Sequence, residues 1–196
     1  MSATEREALL KTGLLPVAPT PEREGDRKAA VAIVLTDSSH EILFIKRPIH
    51  PADPWSGHVA LPGGRHEPLD PHLEATARRE TWEEVGLELS PESFWGALAP
   101  ILATARVTIH PMWVTPHVYR IRGGVPALQL KPDEAASARW IPLTQLLDPR
   151  HQSQVQVRRD GLDLKFPSWE IDDYTIWGLT YLIMRTFLRP LIEPVR

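Results

Sequence analysis

Three glutamates on one predicted helix carry the clearest chemical signal in the chain. They are Glu80, Glu83 and Glu84, in the stretch RETWEEVGL. At about 100° per residue, Glu83 lies about −60° and Glu84 about +40° from Glu80, so the three carboxylates share one arc of the helix surface. Such an oxygen-rich group suits a hard cation such as Mg²⁺ or Mn²⁺. The alternative is a solvated acidic face on which Glu80 pairs with Arg79.

The loop before this helix favours the functional interpretation. Gly63 and Gly64 follow a short apolar strand, and glycines let the backbone approach a ligand closely. A glycine turn that leads into a carboxylate face suits a phosphate ester bridged by a divalent metal ion. Four histidines near this loop could touch phosphate, but their spacing matches no zinc site and a surface location is the simpler interpretation: His50, His58, His66 and His72.

Hydrophobic patterning predicts the elements that must position these groups. A helix is predicted over residues 73–85, with Pro71 near its first turn and Gly86 as the residue that ends it. Trp82 and Val85 are predicted to face the core, as are Trp140 and Trp177. The other predicted elements are a helix from Thr4 to Thr12, strands at 28–35, 41–46, 59–61, 95–104, 112–121, 127–130 and 139–143, a helix at 144–147, a hairpin of 155–157 with 162–166, and a helix at 174–188 stopped by Pro190.

This pattern predicts an α+β fold, because strands surround a few helices without strict βαβ alternation. We expect residues 1–26 to form an N-terminal arm and residues 27–196 to form the domain. The chain has 196 residues, no cysteine and a formal charge of −3. These values exclude disulfides and thiolate chemistry and disfavour general nucleic-acid binding. No apolar run is long enough to span a membrane and no secretory signal is recognisable, so a cytoplasmic location is expected.

Residues 64–87, GRHEPLDPHLEATARRETWEEVGL, resemble the Nudix box, which consists of a glycine, an acid and then Arg-Glu-x-x-Glu-Glu-x-Gly-aliphatic. The second half matches at every motif position. The first half is one residue longer than usual, so the first acid falls on either Asp70 or Glu67. This longer loop resembles the coenzyme A pyrophosphatase branch, as do the segments 56–64 and 177–180, SGHVALPGG and WGLT.

The resemblance implies a Nudix-type α/β/α sandwich with a mixed sheet between helices, and an enzyme that hydrolyses a nucleoside diphosphate derivative. The best match is coenzyme A or an acyl derivative, cleaved to 3′,5′-ADP and phosphopantetheine. However, Arg47 is followed here by PIHPADPW instead of the branch's Ser- and Arg-containing stretch. Alternatives are therefore ADP-ribose, dinucleotide polyphosphates or nucleoside triphosphates, or a Nudix module that binds nucleotides without catalysis.

The resemblance also assigns roles to individual residues. The expected ligands of Mg²⁺ or Mn²⁺ are the carboxylates of Glu80, Glu83 and Glu84 and the carbonyl of Gly64. Arg79 is expected to orient a box carboxylate or, alternatively, to contact phosphate. The general base is Glu83, Glu84 or Glu134, and the last could equally be an exposed loop residue. The residues expected to contact substrate are Arg47, Trp55, Gly63 and Gly64. The expected partner is a small nucleoside diphosphate, with neither nucleic acid nor membrane, and a homodimer is a further expectation because the family often forms dimers.

Overall fold

The computed structural model describes residues 1–18, 26–50, 55–103, 111–159 and 161–193. The four helices of this part are α1 (Ala3–Thr12), α2 (Leu73–Val85), α3 (Leu143–Leu147) and α4 (Gly178–Ile192). The strands are β1 (Arg27–Thr36), β2 (Glu41–Lys46), β3 (Val59–Ala60), β4 (Gly63–Arg65), β5 (Phe94–Ala97), β6 (Ile101–Ala103), β7 (Met112–Ile121), β8 (Ser137–Pro142), β9 (Gln152–Arg159), β10 (Leu162–Ile171) and β11 (Tyr174–Trp177). Residues 19–25 of the predicted N-terminal arm lie outside the described residues, and helix α1 forms within its described part.

A mixed sheet forms the centre of the fold. Strands β3, β2, β1, β7 and β5 lie in that order, and β4, β6 and β8 add to β1, β7 and β2. Strand β1 pairs in parallel with β7 along its whole length. On its other edge, β1 pairs with β2 near its end and with β4 near its beginning. The short strand β4 therefore brings its two glycines against the middle of the sheet.

The sheet is covered by helices on both faces. Side chains of β1 alternate between two clusters of buried apolar residues, because successive residues of a strand point to opposite faces. Helix α2 packs on one face through Leu73, Ala77 and Val85. Helices α1 and α4 pack on the other, with Leu10 and Phe187 buried in the same cluster. This arrangement confirms the predicted α+β class with a mixed sheet between helices.

Helix α2 has the predicted bounds. It begins after His72, whose Nδ1 accepts a hydrogen bond of 3.1 Å from the backbone N–H of Ala75. It ends at Gly86, which has a φ of 66°, and a left-handed conformation of this kind favours glycine. Pro71 precedes the capping residue, so its predicted location in the first turn is wrong. Because His72 is the N-cap and the helix begins at Leu73, Pro71 lies before the first turn.

Trp82 does not face the core, and its prediction is wrong. Its side chain lies on the exposed side of α2, with 56% of its surface accessible. The buried residues of this helix lie on one side, centred near Glu84: Leu73, Thr76, Ala77, Thr81, Glu84 and Val85. Trp82 is rotated about 160° from Glu84 around the helix axis and therefore points to solvent. The middle of the buried face holds a carboxylate.

Three further predictions differ from the structure. Residues 127–130 form no strand; instead the backbone N–H of Gln129 donates to the carbonyl of Val85, and so satisfies the end of α2. The predicted strand at 95–104 is divided into β5 and β6, with Pro100 between them, and Thr104 lies outside the described residues. The predicted helix at 174–188 begins only at Gly178, because Tyr174–Trp177 pair with β10. Helix α4 also continues through Pro190 to Ile192.

The two other tryptophans predicted as core are half-buried. Trp140 packs against the cluster beneath α2. Trp177 contacts the rings of His58 and Phe166, at centroid distances of 4.9 and 5.9 Å. In the described part of the chain, no helix is both long and apolar enough to cross a membrane.

Candidate active site

A cleft of about 740 Å³ lies where β4, α2 and two loops meet. Its lining comprises Arg47, Pro48, Ile49, His50, Gly63, Gly64, Arg65, Glu80, Glu84, Pro132, Asp133 and Glu134. Six residues predicted for the site are thereby brought together: Arg47, Gly63, Gly64, Glu80, Glu84 and Glu134. Arg79, Glu83 and Trp55 do not line it. Sequence reasoning missed Arg65, although it directly follows the glycine pair.

Glu84 is the most buried acid of the cleft, with 4% of its surface exposed. Its Oε2 accepts a hydrogen bond of 2.9 Å from the backbone N–H of Gly63. Burial, together with the nearby charge of Glu80, raises the pKa of Glu84 to about 8, against the opposing effects of the Gly63 N–H and Arg47. A cation bound beside this buried carboxylate would favour its charged form and so lower its pKa.

Glu80 lies next to Glu84 on the same face of α2 and against the backbone of Gly64. Burial raises its pKa even though its Oε1 lies 2.9 Å from Nη1 of Arg79. A Cβ atom at Gly64 would overlap the carboxylate of Glu80. One at Gly63 would overlap the backbone of β1 at Ala30 and Val31. Both glycines are therefore needed for close contact, one with the sheet and the other with the acid.

Arg79 ties the helix to the loop that precedes it. Its Nε and Nη2 donate to the two carboxylate oxygens of Asp70, at 2.9 and 3.0 Å. Its Nη2 also donates to the carbonyl of Arg65 at 3.1 Å, and its Nη1 donates to Glu83 at 3.0 Å. The guanidinium thus fixes β4, the loop and the acidic face of α2 relative to one another.

The same network distinguishes the two candidates for the first acid of the box. Asp70 is almost fully buried, and hydrogen bonds from Arg79 hold the pKa of its carboxyl well below the usual range. Thr76 also donates its hydroxyl to Asp70, at 2.9 Å. Glu67 is exposed and contributes only its backbone N–H, which donates to Asp70 at 3.0 Å. Asp70 is therefore the acid that contacts the box arginine.

The remaining predicted residues lie around the cleft. Glu83 is 39% exposed and its carboxylate is directed to Arg79. Glu134 lies on the wall formed by residues 132–134, where Nζ of Lys131 donates to it at 2.5 Å. Trp55 is half-buried and its carbonyl accepts a hydrogen bond from the backbone N–H of His58. The structure thus separates a cleft-lining pair, Glu80 and Glu84, from the outer acid Glu83.

The donor set fits a hard divalent ion. Within the described ranges, no three acidic or histidine side chains are arranged to enclose a metal ion. Glu84, which is buried, and Glu80, which is largely buried, nevertheless offer two carboxylates with raised pKa values on one face of α2. Mg²⁺ is usually bound in this manner, by one or two carboxylates together with substrate phosphates and water.

Comparisons with known proteins agree with this geometry. The sequence profile of the NUDIX domain matches residues 26–160. An uncharacterized Nudix hydrolase NudL of Yersinia pestis is 31% identical over 161 residues, which make up 82% of this chain and 77% of that protein. An uncharacterized protein of Schizosaccharomyces pombe is 39% identical over 118 residues, and the match covers 59% of this chain but only 36% of that longer protein.

A solved structure shows the same fold across nearly the whole chain. The MutT/nudix family protein of Enterococcus faecalis has a TM-score of 0.56 at 19% identity, and the match covers 98% of this chain and 70% of that one. The family profile covers more than half of the chain, and the residues of its box form the acidic wall of the cleft. The chain therefore belongs to the Nudix hydrolase family.

Proposed function

We propose that this Nudix hydrolase cleaves the diphosphate of coenzyme A or an acyl-coenzyme A, giving 3′,5′-ADP and phosphopantetheine. Hydrolysis of nucleoside diphosphate derivatives is the activity of the family. The cleft supports this chemistry because two carboxylates of α2, the buried Glu84 and the largely buried Glu80, line it together with the cations Arg47 and Arg65. That juxtaposition is the observation on which the proposal depends.

The choice of coenzyme A is supported by two segments that resemble the coenzyme A branch. Residues 56–64 and 177–180 are far apart in sequence but touch in the structure. The hydroxyl of Thr180 donates to the carbonyl of Val59 at 3.1 Å, and the rings of His58 and Trp177 lie 4.9 Å apart. The first segment ends in Gly63 and Gly64, which line the cleft. The two segments therefore pack together beside the candidate active site.

Each group of the cleft has a role in the proposed reaction. Glu80 and Glu84 would hold Mg²⁺ or Mn²⁺, with Gly64 providing a carbonyl and Glu83 a further carboxylate. When bound, the ion neutralises phosphate charge and lowers the pKa of water. Arg47 and Arg65 would bind and orient the phosphate oxygens, which have a large negative charge to compensate.

We assign the proton acceptor to Glu134. It lines the cleft outside the pair of carboxylates assigned to the metal, whereas Glu83 does not line it. Water would form the new bond to phosphorus and lose a proton to a carboxylate oxygen of Glu134, while the bridging P–O bond breaks. Lys131, which donates to Glu134, would hold this carboxylate in position at the wall of the cleft.

A substrate panel tests the proposal. The protein is incubated with Mg²⁺ or Mn²⁺ and coenzyme A, acetyl-coenzyme A, ADP-ribose, diadenosine polyphosphates or nucleoside triphosphates, and the products are identified by mass spectrometry. We expect the highest kcat/KM for the coenzyme A compounds, with 3′,5′-ADP as product. A higher value for ADP-ribose or a dinucleotide would contradict the coenzyme A assignment. Tight nucleotide binding without turnover of any compound would instead indicate a non-catalytic module.

A further inference from the structure

A second cleft, of about 410 Å³, lies on the other side of Arg65. Its lining is strongly basic and consists of Asp26, Arg27, Lys28, Arg65 and His66. The protein as a whole has a formal charge of −3, so this concentration of cations is a local feature. None of the roles described above uses Arg27, Lys28 or His66.

The pairing of β1 with β4 brings the two arginines to one face of the sheet. Ala29 is opposite Arg65 in the antiparallel register, and Arg27 lies two residues before Ala29 on the same strand. Because side chains alternate along a strand, Arg27 and Arg65 are diagonal neighbours, about 7–8 Å apart at their bases. Two guanidinium groups at this spacing can bind one anion between them.

The cations of this second cleft lack acidic partners in the described ranges. No ion pair is formed there by Arg27, Lys28 or Arg65, and both arginines are exposed. Asp26, the acid among the described residues of the lining, accepts a hydrogen bond of 2.7 Å from the indole N–H of Trp113. The positive charge is therefore available to a ligand.

Arg65 connects the two clefts, because it lines both. Its backbone is fixed to the box, since Nη2 of Arg79 donates to its carbonyl at 3.1 Å. The backbone N–H of His66 donates to the carbonyl of Lys28 at 2.9 Å, which fixes the floor of the second cleft to β1. An anion bound in the second cleft would therefore be separated from the proposed diphosphate site by Arg65.

We propose that the second cleft binds a phosphomonoester of the substrate that is separate from its diphosphate. The inference rests on the proposed function and deepens it, since it assigns a preference for nucleoside diphosphates that carry an additional phosphate. Arg27 would select this group, and Arg65 would contact both it and the diphosphate. A substrate without the phosphate lacks the charge-assisted hydrogen bonds to these arginines and therefore binds more weakly.

Coenzyme A and its 3′-dephospho form provide the test, because they differ only in one phosphomonoester. We expect wild-type kcat/KM to be at least about tenfold higher for coenzyme A. Arg27→Gln should reduce this ratio about 10-fold, which corresponds to one charge-assisted hydrogen bond. Arg122→Gln is the matched control, since Arg122 is exposed and follows the opposite end of the paired strands; it should leave the ratio unchanged. A wild-type ratio near one, or a ratio that none of the variants alters, overturns the inference.

A binding measurement separates failure of this inference from failure of the proposed function. Calorimetry is performed with adenosine 3′,5′-bisphosphate, adenosine 5′-monophosphate and inorganic phosphate, and needs no turnover. Tighter binding of the bisphosphate by the wild type, lost in Arg27→Gln, supports the cleft even if coenzyme A is not hydrolysed. Equal affinity for the two nucleotides overturns it. Inorganic phosphate bound as tightly as the bisphosphate also overturns it, because the cleft would then be a site for free anions.

Discussion

Replacing Glu84 with glutamine should reduce kcat by about 10²–10⁴-fold and, in metal-free buffer, raise the stability of the protein. Turnover falls because the variant has lost the more buried of the two α2 carboxylates that line the cleft. The fold is retained, since the amide oxygen of glutamine can still accept the hydrogen bond from Gly63. Stability rises because the variant no longer places an ionisable acid in the middle of the buried face of α2.

The stability effect depends on pH in a defined direction. Burial raises the pKa of Glu84 to about 8 from an ordinary value of 4.5, so the folded protein retains a proton that the unfolded chain releases between these values. The free energy of unfolding therefore falls as pH rises through this range. Melting temperatures measured in chelator at pH 5 and pH 8 should differ more for the wild type than for Glu84→Gln.

Glu88→Gln is the matched control for this prediction. Glu88 is exposed and lies just beyond the same helix, so its replacement removes the same charge outside the cleft. It should leave kcat and the pH dependence of stability unchanged. Wild-type turnover in Glu84→Gln, or equal pH dependence in all three proteins, would contradict the role assigned to Glu84.

Replacing Arg79 with lysine should lower kcat about 100-fold and destabilise the protein by about 1–3 kcal/mol. Lysine retains the charge but lacks the planar fork that donates to both oxygens of Asp70, to the carbonyl of Arg65 and to Glu83. The nearly buried carboxylate of Asp70 then loses its principal partner. Since Arg79 lies outside the cleft lining, we expect kcat to change more than KM. Urea unfolding and steady-state kinetics measure the two effects.

Arg78→Lys provides the comparison on the same helix. Arg78 has an ion pair with Glu74 at 3.8 Å and makes no contact with the box acids among the described residues. This variant should change kcat by less than about threefold. If Arg79→Lys behaved as Arg78→Lys does in both measurements, Arg79 would have no positioning role.

Local patterns in the sequence were sufficient to predict the helix that carries the acids. The bounds of α2 follow from a run without glycine or proline that ends at Gly86, and the carboxylate face follows from the helical repeat. The error at Trp82 arises because an aromatic residue suggests a core position, whereas the sheet packs against the side of the helix that bears Glu84. Hydrophobicity alone cannot reveal that a buried face is centred on an acid.

Features that depend on pairing between distant segments could not be predicted in this way. The choice between Asp70 and Glu67 depends on how the loop folds back to Arg79, and both acids are compatible with the sequence. Arg27 and Arg65 become neighbours only through the antiparallel pairing of β1 with β4. Tyr174–Trp177 read as the start of a helix because their strand partner lies on β10, outside any local window.

We propose that Glu80 and Glu84 together hold a divalent cation in the cleft. The most direct test is the rise in melting temperature caused by Mg²⁺ in the wild type, Glu80→Gln, Glu84→Gln and the control Glu88→Gln. An ion that binds only the folded state raises the free energy of unfolding by RT ln(1 + [Mg²⁺]/Kd), where Kd is its dissociation constant from the folded protein. We predict a clear rise for the wild type and Glu88→Gln, and little or none for the two cleft variants. Equal rises in all four proteins would show that Mg²⁺ does not bind at Glu80 and Glu84.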